Sequence, residues 1–475
     1  IQSGKPAKFF FAKMKSLLII FYNVFLFASV SDVYSQQITW QRVYGGAQLD
    51  YGKDGVQTFD GGYIVLARSN EHGNMLLKLD SYGNEEWSRS LDNNGICQSI
   101  KQSIDSSYII AYSHDSLAKI IKTDKMGNLI WRKYYTINND ITGFYKINIL
   151  DNGDMIMCGA IFSQKAYVVK TDALGNLIWQ TIIPDSSSIE GRDITESNNF
   201  YYLTGNSNYK GHGKTLLTKL SFTGQIVWHK LFGSEGKGDG ESSYAIIAES
   251  ENIITTAGIL YDNTFSKTHL SKFDSSGHLI IQYLYESMYT FGGMTKYQYG
   301  YALCGASRFG DRINFIKVNF DGTETENRII NYISDFLWFS NSINKTSDNG
   351  FVIAGMAGLE KDLNILVIKT DSIGYAPVSI KNINSELPAS FKLYQNYPNP
   401  FNPGTNIKYQ IVNSNFVELK IYDVLGKQVA TLVNQKQSAG TYSVDWNASN
   451  FPSGVYFYSI KAGSFKETKR MILLK

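Results

Sequence analysis

One ten-residue pattern recurs through the middle of the chain and decides the fold. It reads KLDSYGNEEW at residues 78–87, KTDKMGNLIW at 122–131 and KTDALGNLIW at 170–179. Four weaker copies follow, and the steps between successive pattern glycines range from 44 to 53 residues. The glycines of the copies are Gly83, Gly127, Gly175, Gly224, Gly277, Gly322 and Gly374. Repetition at a nearly fixed spacing of this length is the signature of a repeat architecture.

Each copy is predicted to form four short strands separated by turns that contain glycine. In the first copy the strands are predicted at Gly55–Thr58, Tyr63–Ser69, Asn74–Asp80 and Glu85–Leu91. Equivalents of the second strand lie at Tyr108–Ser113, Met155–Ile161, Phe200–Gly205, Ile253–Ile259, Tyr301–Ser307 and Phe351–Ala357. No copy shows the 3.6-residue period of a helix. Four strands in each repeat are typical of a β-propeller blade.

The seventh copy ends without its fourth strand. After Gly374 the chain has no tryptophan strand, whereas an orphan strand, ITWQRVYG at 38–45, precedes the first copy. This strand resembles IVWHKLFG at 226–233, the fourth strand of copy four. We predict that strand 38–45 completes the last blade, so that residues 36–374 form an all-β, seven-bladed propeller without a free sheet edge. Residues 375–390 are then a linker.

The repeated aspartate and tryptophan are predicted to be structural, because a motif present in every blade is scaffold. The aspartate is expected to cap the turn before the fourth strand, and the tryptophan to pack between neighbouring blades. Sialidase-type Asp boxes place their aspartate and glycine closer together, and quinoprotein propellers place them further apart. The unit resembles the Gly-Asn-x-x-Trp propeller repeats of secreted proteins from Bacteroidetes-type bacteria.

A ligand site is predicted on the face that carries the variable connections. Turns 1–2 and 3–4 of each blade are short and uniform, whereas connections 2–3 and 4–1 vary in length and chemistry. Function concentrates on variable loops held by a rigid scaffold. The variable connections include Asn206–Lys214, Gly233–Glu241, Tyr261–Lys267 and Arg308–Arg312. The candidate ligand-binding residues are Tyr209, His212, Asp239, Arg308 and Asp311.

Catalytic signatures are absent from the sequence. None of the six histidines has metal-ligand spacing, and no Gly-x-Ser-x-Gly elbow occurs. The three cysteines form no disulfide framework, and Cys158 and Cys304 occupy matching places in the repeat, as buried small residues would. We therefore expect no cofactor and no metal. The sequence leaves open whether carboxylate side chains from different blades form pairs in the folded protein.

Composition excludes several classes of protein. The chain of 475 residues is 43% hydrophobic and 18% charged, which is unlike a disordered chain or a coiled coil. Its net charge of +3 lacks the strongly basic footprint of a nucleic-acid-binding protein. We expect a monomer that does not bind nucleic acid.

The N-terminal region has the pattern of a secretory signal peptide. Lys13 and Lys15 precede an apolar run over Leu17–Val30, and small residues follow it. The run is shorter than the roughly 20 residues of a transmembrane helix. Cleavage is expected between Ser35 and Gln36, leaving no transmembrane segment in the mature protein. Residues 1–13 precede Met14 and are expected to lie outside the working protein.

Residues 391–475 predict a second, smaller β domain. Strand-like segments with turns every few residues favour a small β-sandwich, consistent with an immunoglobulin-like module that packs or binds sugar. The segments lie at Asn406–Val412, Val417–Asp423, Gln428–Val433, Gly440–Trp446, Gly454–Ala462 and Phe465–Leu474.

Four motifs in this domain identify a family resemblance. They are Tyr397-Pro398-Asn399-Pro400-Phe401-Asn402, Ile421-Tyr422-Asp423-x-x-Gly426, Ser453-Gly454-Val455-Tyr456-Phe457-Tyr458 and Lys469–Lys475. Residues 391–475 resemble the type A C-terminal sorting domain of the type IX secretion system. The resemblance implies a Bacteroidetes-like source and contact with the secretion machinery. It also implies removal of the domain by a sortase-like peptidase, with release of the protein or attachment to surface lipopolysaccharide.

The combined patterns predict an exported or cell-surface propeller that binds a glycan or protein without catalysis. The alternative is a secreted glycan-active enzyme, a lyase or a hydrolase, with its site on the variable-loop face. An enzyme would gather acidic and histidine side chains with perturbed pKa values around the central opening. A binding module would present aromatic and amide side chains there instead.

Overall fold

A computed structural model describes most of the chain after residue 37. The described residues are 38–45, 49–70, 73–91, 95–113, 118–136, 142–161, 164–209, 212–233, 240–261, 266–307, 312–330, 337–359, 362–376, 381–384, 390–412, 415–437, 440–449 and 451–474. The predicted signal peptide, including Ser35 and Gln36, lies outside these ranges. All regular elements in the described part of the chain are β-strands, so the predicted all-β class is confirmed.

Seven four-stranded antiparallel sheets occupy residues 40–370. The first strand, β1 (Trp40–Tyr44), belongs to the last of them. Sheet 1 contains β2 (Asp50–Gln57), β3 (Tyr63–Ser69), β4 (Gly73–Leu79) and β5 (Glu85–Ser90). Sheet 2 contains β6 (Ile96–Gln102), β7 (Tyr108–Ser113), β8 (Ala118–Thr123) and β9 (Leu129–Tyr135). Sheet 3 contains β10 (Thr142–Ile149), β11 (Met155–Ile161), β12 (Lys165–Thr171) and β13 (Leu177–Ile182).

The next sheets repeat the arrangement. Sheet 4 contains β14 (Ser188–Ser197), β15 (Phe200–Tyr209), β16 (His212–Ser221) and β17 (Ile226–Phe232). Sheet 5 contains β18 (Gly240–Ala248), β19 (Ile253–Tyr261), β20 (Ser266–Asp274) and β21 (Leu279–Tyr285). Sheet 6 contains β22 (Gly293–Tyr297), β23 (Gly300–Ala306), β24 (Ile313–Asn319) and β25 (Glu324–Ile330). Sheet 7 contains β26 (Leu337–Lys345), β27 (Phe351–Leu359), β28 (Asp362–Thr370) and β1.

Sheet 7 joins the two ends of this region. β1 pairs antiparallel with β28, with Trp40 opposite Lys369 and Tyr44 opposite Ile365. Each sheet contacts the next in order, and β26, β27 and β28 of sheet 7 contact β2 of sheet 1. The sheets therefore follow one another in a closed, propeller-like cycle.

Burial along each sheet explains why these segments form strands. The second strand is almost fully buried, as in β3 and β7, because neighbouring sheets cover both of its faces. A short apolar run between turns is the sequence pattern of such a strand. The fourth strand is largely exposed, as in β5, because it lies at the outer edge. The hydrophobic cores accordingly lie between successive sheets.

The tryptophan of one sheet packs on the pattern glycine of the next. A Cβ placed on Gly224 would lie 2.6 Å from the Trp179 ring, and one on Gly83 would lie 2.8 Å from Trp40. The indole nitrogen of Trp179 donates a hydrogen bond of 2.9 Å to the carbonyl oxygen of Phe222 in the same turn. The predicted packing of the tryptophans between sheets is confirmed.

Gly224→Ala is expected to lower the free energy of unfolding more than Gly61→Ala does. Both glycines have positive φ, +81° at Gly224 and +84° at Gly61, so alanine costs about 1–2 kcal/mol at each. Gly61 has no neighbour within 4 Å of an added Cβ, whereas Gly224 lies against Trp179. The overpacked site should add about 1–3 kcal/mol. Urea unfolding of the two variants checks this, and equal losses would contradict the packing role of Gly224.

The pattern lysine forms a buried ion pair that sequence reasoning missed. The Lys78 side chain is 3% exposed, and its ammonium lies 3.1 Å from Asp60 in the turn between the first two strands. Lys369 pairs with Asp348 at 2.9 Å in the same way. Burial opposes ionisation of Asp348, but hydrogen bonds from Thr346 and Lys369 outweigh it and lower its pKa. Each of these two pairs stabilises its own sheet internally and is therefore scaffold.

Two further four-stranded sheets form the C-terminal domain. Their strands are β29 (Lys381–Asn384), β30 (Lys392–Leu393), β31 (Gly404–Ile411), β32 (Asn415–Tyr422), β33 (Gln428–Gln437), β34 (Gly440–Asn447), β35 (Gly454–Ala462) and β36 (Phe465–Leu473). One sheet has the order β29-β34-β31-β30 and the other the order β33-β32-β35-β36. β29 lies within the segment predicted as a linker and pairs with β34. The two sheets enclose one core, as the predicted β-sandwich requires.

Candidate functional site

One cavity of about 930 Å³ lies where the seven sheets meet. The first strands of all seven sheets contribute to its wall, namely β2, β6, β10, β14, β18, β22 and β26. It extends from the middle of these strands to the turns that follow β10 and β14, at Asp151 and Asn198. The cavity therefore reaches the face with the short turns, opposite the variable connections.

A β-bulge at the same level of six first strands supplies a ring of side chains to this cavity. Each register shift leaves one residue without a partner on the second strand. A bulge re-aims a side chain and is common beside functional sites. The six bulged residues all line the cavity and are Lys53, Gln98, Tyr145, Arg192, Tyr244 and Asn341.

Two aspartates follow bulged residues and hold the neighbouring sheet. Asp54 accepts hydrogen bonds from the backbone nitrogen of Ile100 at 3.1 Å and from Ser99 Oγ at 3.2 Å. Asp193 accepts a hydrogen bond of 3.0 Å from the backbone nitrogen of Ile246. Burial raises the pKa of Asp193, against the opposing charge of Lys146. These carboxylates act as links between sheets.

Asparagine side chains form similar links. Asn341 donates a hydrogen bond of 2.7 Å to the carbonyl oxygen of Gly52, and Asn344 donates one of 2.9 Å to that of Gly55. Both bonds connect sheet 7 to sheet 1. The two asparagine side chains thus link sheet 7 to sheet 1, where the cycle of sheets closes.

Four cationic side chains face the cavity: Lys53 and Arg192 at bulges, Lys146 directly after one, and Lys101 nearer the turn end of β6. Arg192 pairs with Glu190 and stacks on the Tyr145 ring, 4.3 Å from its centroid. Burial lowers the pKa of Lys101, and the positive charge of Lys146 lowers it further. For Lys146, burial would lower the ammonium pKa, but the charges of Asp193 and Asp54 raise it.

Three aromatic rings add flat apolar surface to the wall. Tyr145 lines the cavity on sheet 3, Tyr244 on sheet 5 and Phe291 just before the first strand of sheet 6. The rings of Tyr244 and Phe291 stack at 6.3 Å with an interplanar angle of 21°. Burial raises the pKa of Tyr145, and the charge of Glu190 raises it further. The arrangement of rings, cations and amides can hold a polar organic ligand.

The structure does not test the loop candidates that the sequence analysis named. Asp239, Arg308 and Asp311 lie outside the described residues. Tyr209 pairs with His212 at the end of the β15–β16 hairpin. Sequence reasoning missed the wall residues, although Gly52-Lys53-Asp54 and Gly191-Arg192-Asp193 repeat one tripeptide pattern at the same place in two copies.

A buried histidine cluster in sheet 5 resembles a catalytic arrangement only superficially. His269 Nδ1 lies 3.0 Å from Ser271 Oγ, and His269 Nε2 lies 3.7 Å from Glu241. His269 and Ser271 are 0% exposed, so a substrate has no path to them. Burial lowers the pKa of His269, which favours the neutral ring. No group of three histidine, cysteine or acidic side chains in the described ranges could hold a metal ion.

The motif residues of the C-terminal domain divide into core and surface positions. Phe401 packs on the 2% exposed Trp446 at 5.5 Å, and Tyr456 meets the same ring at 5.3 Å. The side-chain oxygen of Asn399 accepts a hydrogen bond of 2.9 Å from the backbone nitrogen of Ile472 in the last strand. These contacts fasten the first motif to the end of the sandwich.

Other motif residues remain open to solvent. Tyr397 is 82% exposed, and Pro398 uses its carbonyl oxygen to accept a hydrogen bond of 2.7 Å from Thr405. Gly454 begins β35, and Lys469 pairs with Glu467 at 3.0 Å on β36. Lys475 lies outside the described residues. The exposed ring of Tyr397 is available for contact with another protein.

The C-terminal domain matches a known family. Residues 395–474 match the family described as secretion system C-terminal sorting domain. The match indicates export by the type IX secretion system, to the cell surface or outside the cell. In the part of the chain that the structure covers, no helix has the length and hydrophobicity to span a membrane. No curated protein is detectably similar to the chain.

Several solved structures are similar to the chain at low sequence identity. Catalytically inactive virginiamycin B lyase from Staphylococcus aureus is 13% identical, with 70% of this chain and 98% of that chain covered and a TM-score of 0.48. Polysaccharide lyase Uly1 is 8% identical, with 72% and 94% covered and a TM-score of 0.45. Drosophila Semaphorin 1a is 8% identical, with 70% and 87% covered and a TM-score of 0.43. Similarity at this level bears on neither ligand nor activity.

Proposed function

We propose that this chain is an exported protein whose propeller binds an extracellular glycan or protein without catalysing a reaction. The observation that carries the proposal is the cavity of about 930 Å³ that the first strands of all seven sheets line. Its volume is in the upper part of the range of small-molecule sites, about 300–1,000 Å³. It could therefore hold several sugar rings or the end of a peptide.

The chemistry of the wall favours binding over catalysis. Two of the carboxylates that line the wall, Asp54 and Asp193, are engaged with backbone N–H groups of neighbouring sheets. A general base works best with a pKa near the ambient pH. The pKa of Tyr145 is raised instead, so its phenol stays protonated near neutral pH. Tyr145, Tyr244 and Asn341 are the aromatic and amide groups expected of a binding module, although Asp193 and Glu196 also line the wall with raised pKa values.

The export route belongs to the same proposal. We propose that the sorting domain contacts the secretion machinery and is then removed by a sortase-like peptidase. The seven sheets would be the blades of one closed propeller of the Gly-Asn-x-x-Trp kind, over residues 36–374. The loop residues Tyr209, His212, Asp239, Arg308 and Asp311 stay predictions for a second contact on the opposite face.

An array of extracellular glycans and proteins tests the proposed function. The full mature chain should retain a subset of the array, and Tyr145→Ala should weaken that retention about tenfold or more, as loss of a central aromatic anchor does. Tyr299→Ala is the matched control, because Tyr299 is exposed on a turn and does not line the cavity. Absence of any retained compound, or equal effects of both variants, would contradict a binding site in the cavity.

A further inference from the structure

We propose that the cavity binds a sugar chain that ends in a residue with a single carboxylate, with Lys101 and Lys146 receiving the carboxylate. This inference rests on the proposed function and names the ligand class of that same site. The supporting features are two unpartnered ammonium groups, the fixed positions of the nearby acids and the charges at the mouth.

Lys101 and Lys146 are two of the three wall lysines that make no hydrogen bond or ion pair among the described residues, and the third, Lys53, lies over the Tyr51 ring at 5.4 Å. Lys101 and Lys146 lie on β6 and β10, the first strands of neighbouring sheets, and both face the cavity. Neither forms a hydrogen bond or an ion pair with another residue in the described part of the chain. The charges of Asp193 and Asp54 stabilise the ionised form of Lys146, whereas burial outweighs them at Lys101 and destabilises its charged form. An anionic group from a ligand would supply the missing partner.

The protein's own carboxylates cannot take that place. Asp54 already accepts hydrogen bonds from Ile100, Ser99 and Gly55, and Asp193 accepts from Ile246 and Ile194. Moving either carboxylate toward a lysine would leave backbone N–H groups of the bulges unsatisfied, which costs about 1–3 kcal/mol for each group. The acids therefore stay on the wall and leave the lysines open to the cavity.

Repulsion between the lysines points to one anion held between them. The positive charge of Lys146 lowers the pKa of Lys101, so it disfavours the ionised form of Lys101. A carboxylate between them would replace this repulsion with two attractions. Arg192 is less available, because it is paired with Glu190.

The mouth of the cavity disfavours ligands with many negative charges. Asp151 and Glu196 lie at the turn ends of β10 and β14, on the path to the lysines. Lys296 also lies there, but its ammonium donates a hydrogen bond of 2.9 Å to the carbonyl oxygen of Glu249. A segment of uncharged sugars can pass these acids, and its sugar rings can pack on the side chains of Tyr244 and Phe291. A polyanion would place its further charges against them.

Calorimetric titration of the full mature chain tests the inference with matched ligands. The probes are an oligosaccharide that ends in one glucuronate, the methyl ester of the same compound, and polygalacturonate. We expect the free acid to bind at least tenfold more tightly than its ester, and polygalacturonate to bind no more tightly per site than the free acid. Equal affinity for acid and ester, or a clear preference for the polyanion, would overturn the inference. Either of these results would leave the proposed binding function intact, whereas binding of no array compound would remove both.

Lys101→Gln provides the protein side of the same test. It should lower affinity for the free acid at least tenfold and leave affinity for the ester unchanged. Lys125→Gln is the control, since Lys125 is exposed on a turn outside the cavity and its loss changes the net charge equally. Lys101→Gln should also raise the unfolding temperature without ligand, because it removes a poorly solvated charge. Unchanged affinity for the acid would contradict the role of Lys101.

Discussion

Deletion of residues 391–475 is expected to leave the protein in the periplasm, and the amount recovered outside the cells should fall to background. Residues 395–474 match the secretion system C-terminal sorting domain, and this is the part of the chain that indicates passage across the outer membrane. The propeller residues before it stay unchanged in the deletion. Loss of export with a folded propeller in the periplasm would therefore assign the sorting signal to the tail.

Fractionation of cells, periplasm and medium measures the effect. The matched control transfers residues 391–475 to the C-terminus of an unrelated periplasmic protein, which should then leave the cell. Phe401→Ala in the full chain should reduce export, because Phe401 fastens the exposed first motif to the Trp446 core. Undiminished surface display of the deleted chain would contradict the assignment.

Removal of strand β1 is expected to destabilise the propeller by more than any single substitution in it. β1 pairs with β28 along five residues, and its Trp40 ring packs on Tyr63 of sheet 1 at 5.4 Å. Its Tyr44 hydroxyl donates a hydrogen bond of 2.6 Å to the carbonyl oxygen of Gly83. Loss of one buried tryptophan alone costs about 3–5 kcal/mol. The deletion adds the loss of the strand pairing and opens the β28 edge, which invites aggregation.

A chain that begins at residue 46 is compared with one that begins at Gln36, both produced without the signal peptide. Urea unfolding and size-exclusion chromatography report stability and aggregation. The control is Trp40→Ala in the longer chain, which removes the ring but keeps the pairing with β28. A peptide of sequence ITWQRVYG should restore part of the lost stability. Equal stability of the two chains would show that β1 does not close the propeller.

The second strands could be predicted from the sequence because their physical pattern is simple. Tyr63–Ser69, Tyr108–Ser113 and Met155–Ile161 have the same bounds in the structure as in the prediction. Each is an apolar run between two turns, since neighbouring sheets cover both faces. The displaced strand at 38–45 was recognisable for a similar reason, as it repeats the pattern of a fourth strand that the last copy lacks.

The first strands could be predicted only in part. β2 begins at Asp50, whereas the prediction placed its start at Gly55. The bulge between Gly52 and Asp54 breaks the alternation of apolar and polar residues, and a stretch such as GKDGV reads locally as a turn. The prediction therefore missed the strands that carry the site.

The cavity itself depends on distances that a sequence does not contain. Lys53, Tyr145 and Asn341 are far apart along the chain, and only closure of the cycle brings them to one wall. Bulged residues in the separate copies share a place in the repeat but vary in residue type. The ligand site was predicted from the variability of the loops. The prediction therefore placed the site on the face with the variable connections, opposite the face that the cavity reaches.

The most direct test of an exported, non-catalytic binding protein uses chain recovered from outside the cells. Its best array ligand is titrated by calorimetry, and the same sample is then analysed for the chain length of the ligand. We expect saturable heat of binding and a ligand that keeps its original length after prolonged incubation. Shortened ligand that appears with the wild-type chain and not with Tyr145→Ala would show that the cavity is an active site, and would contradict the proposed function.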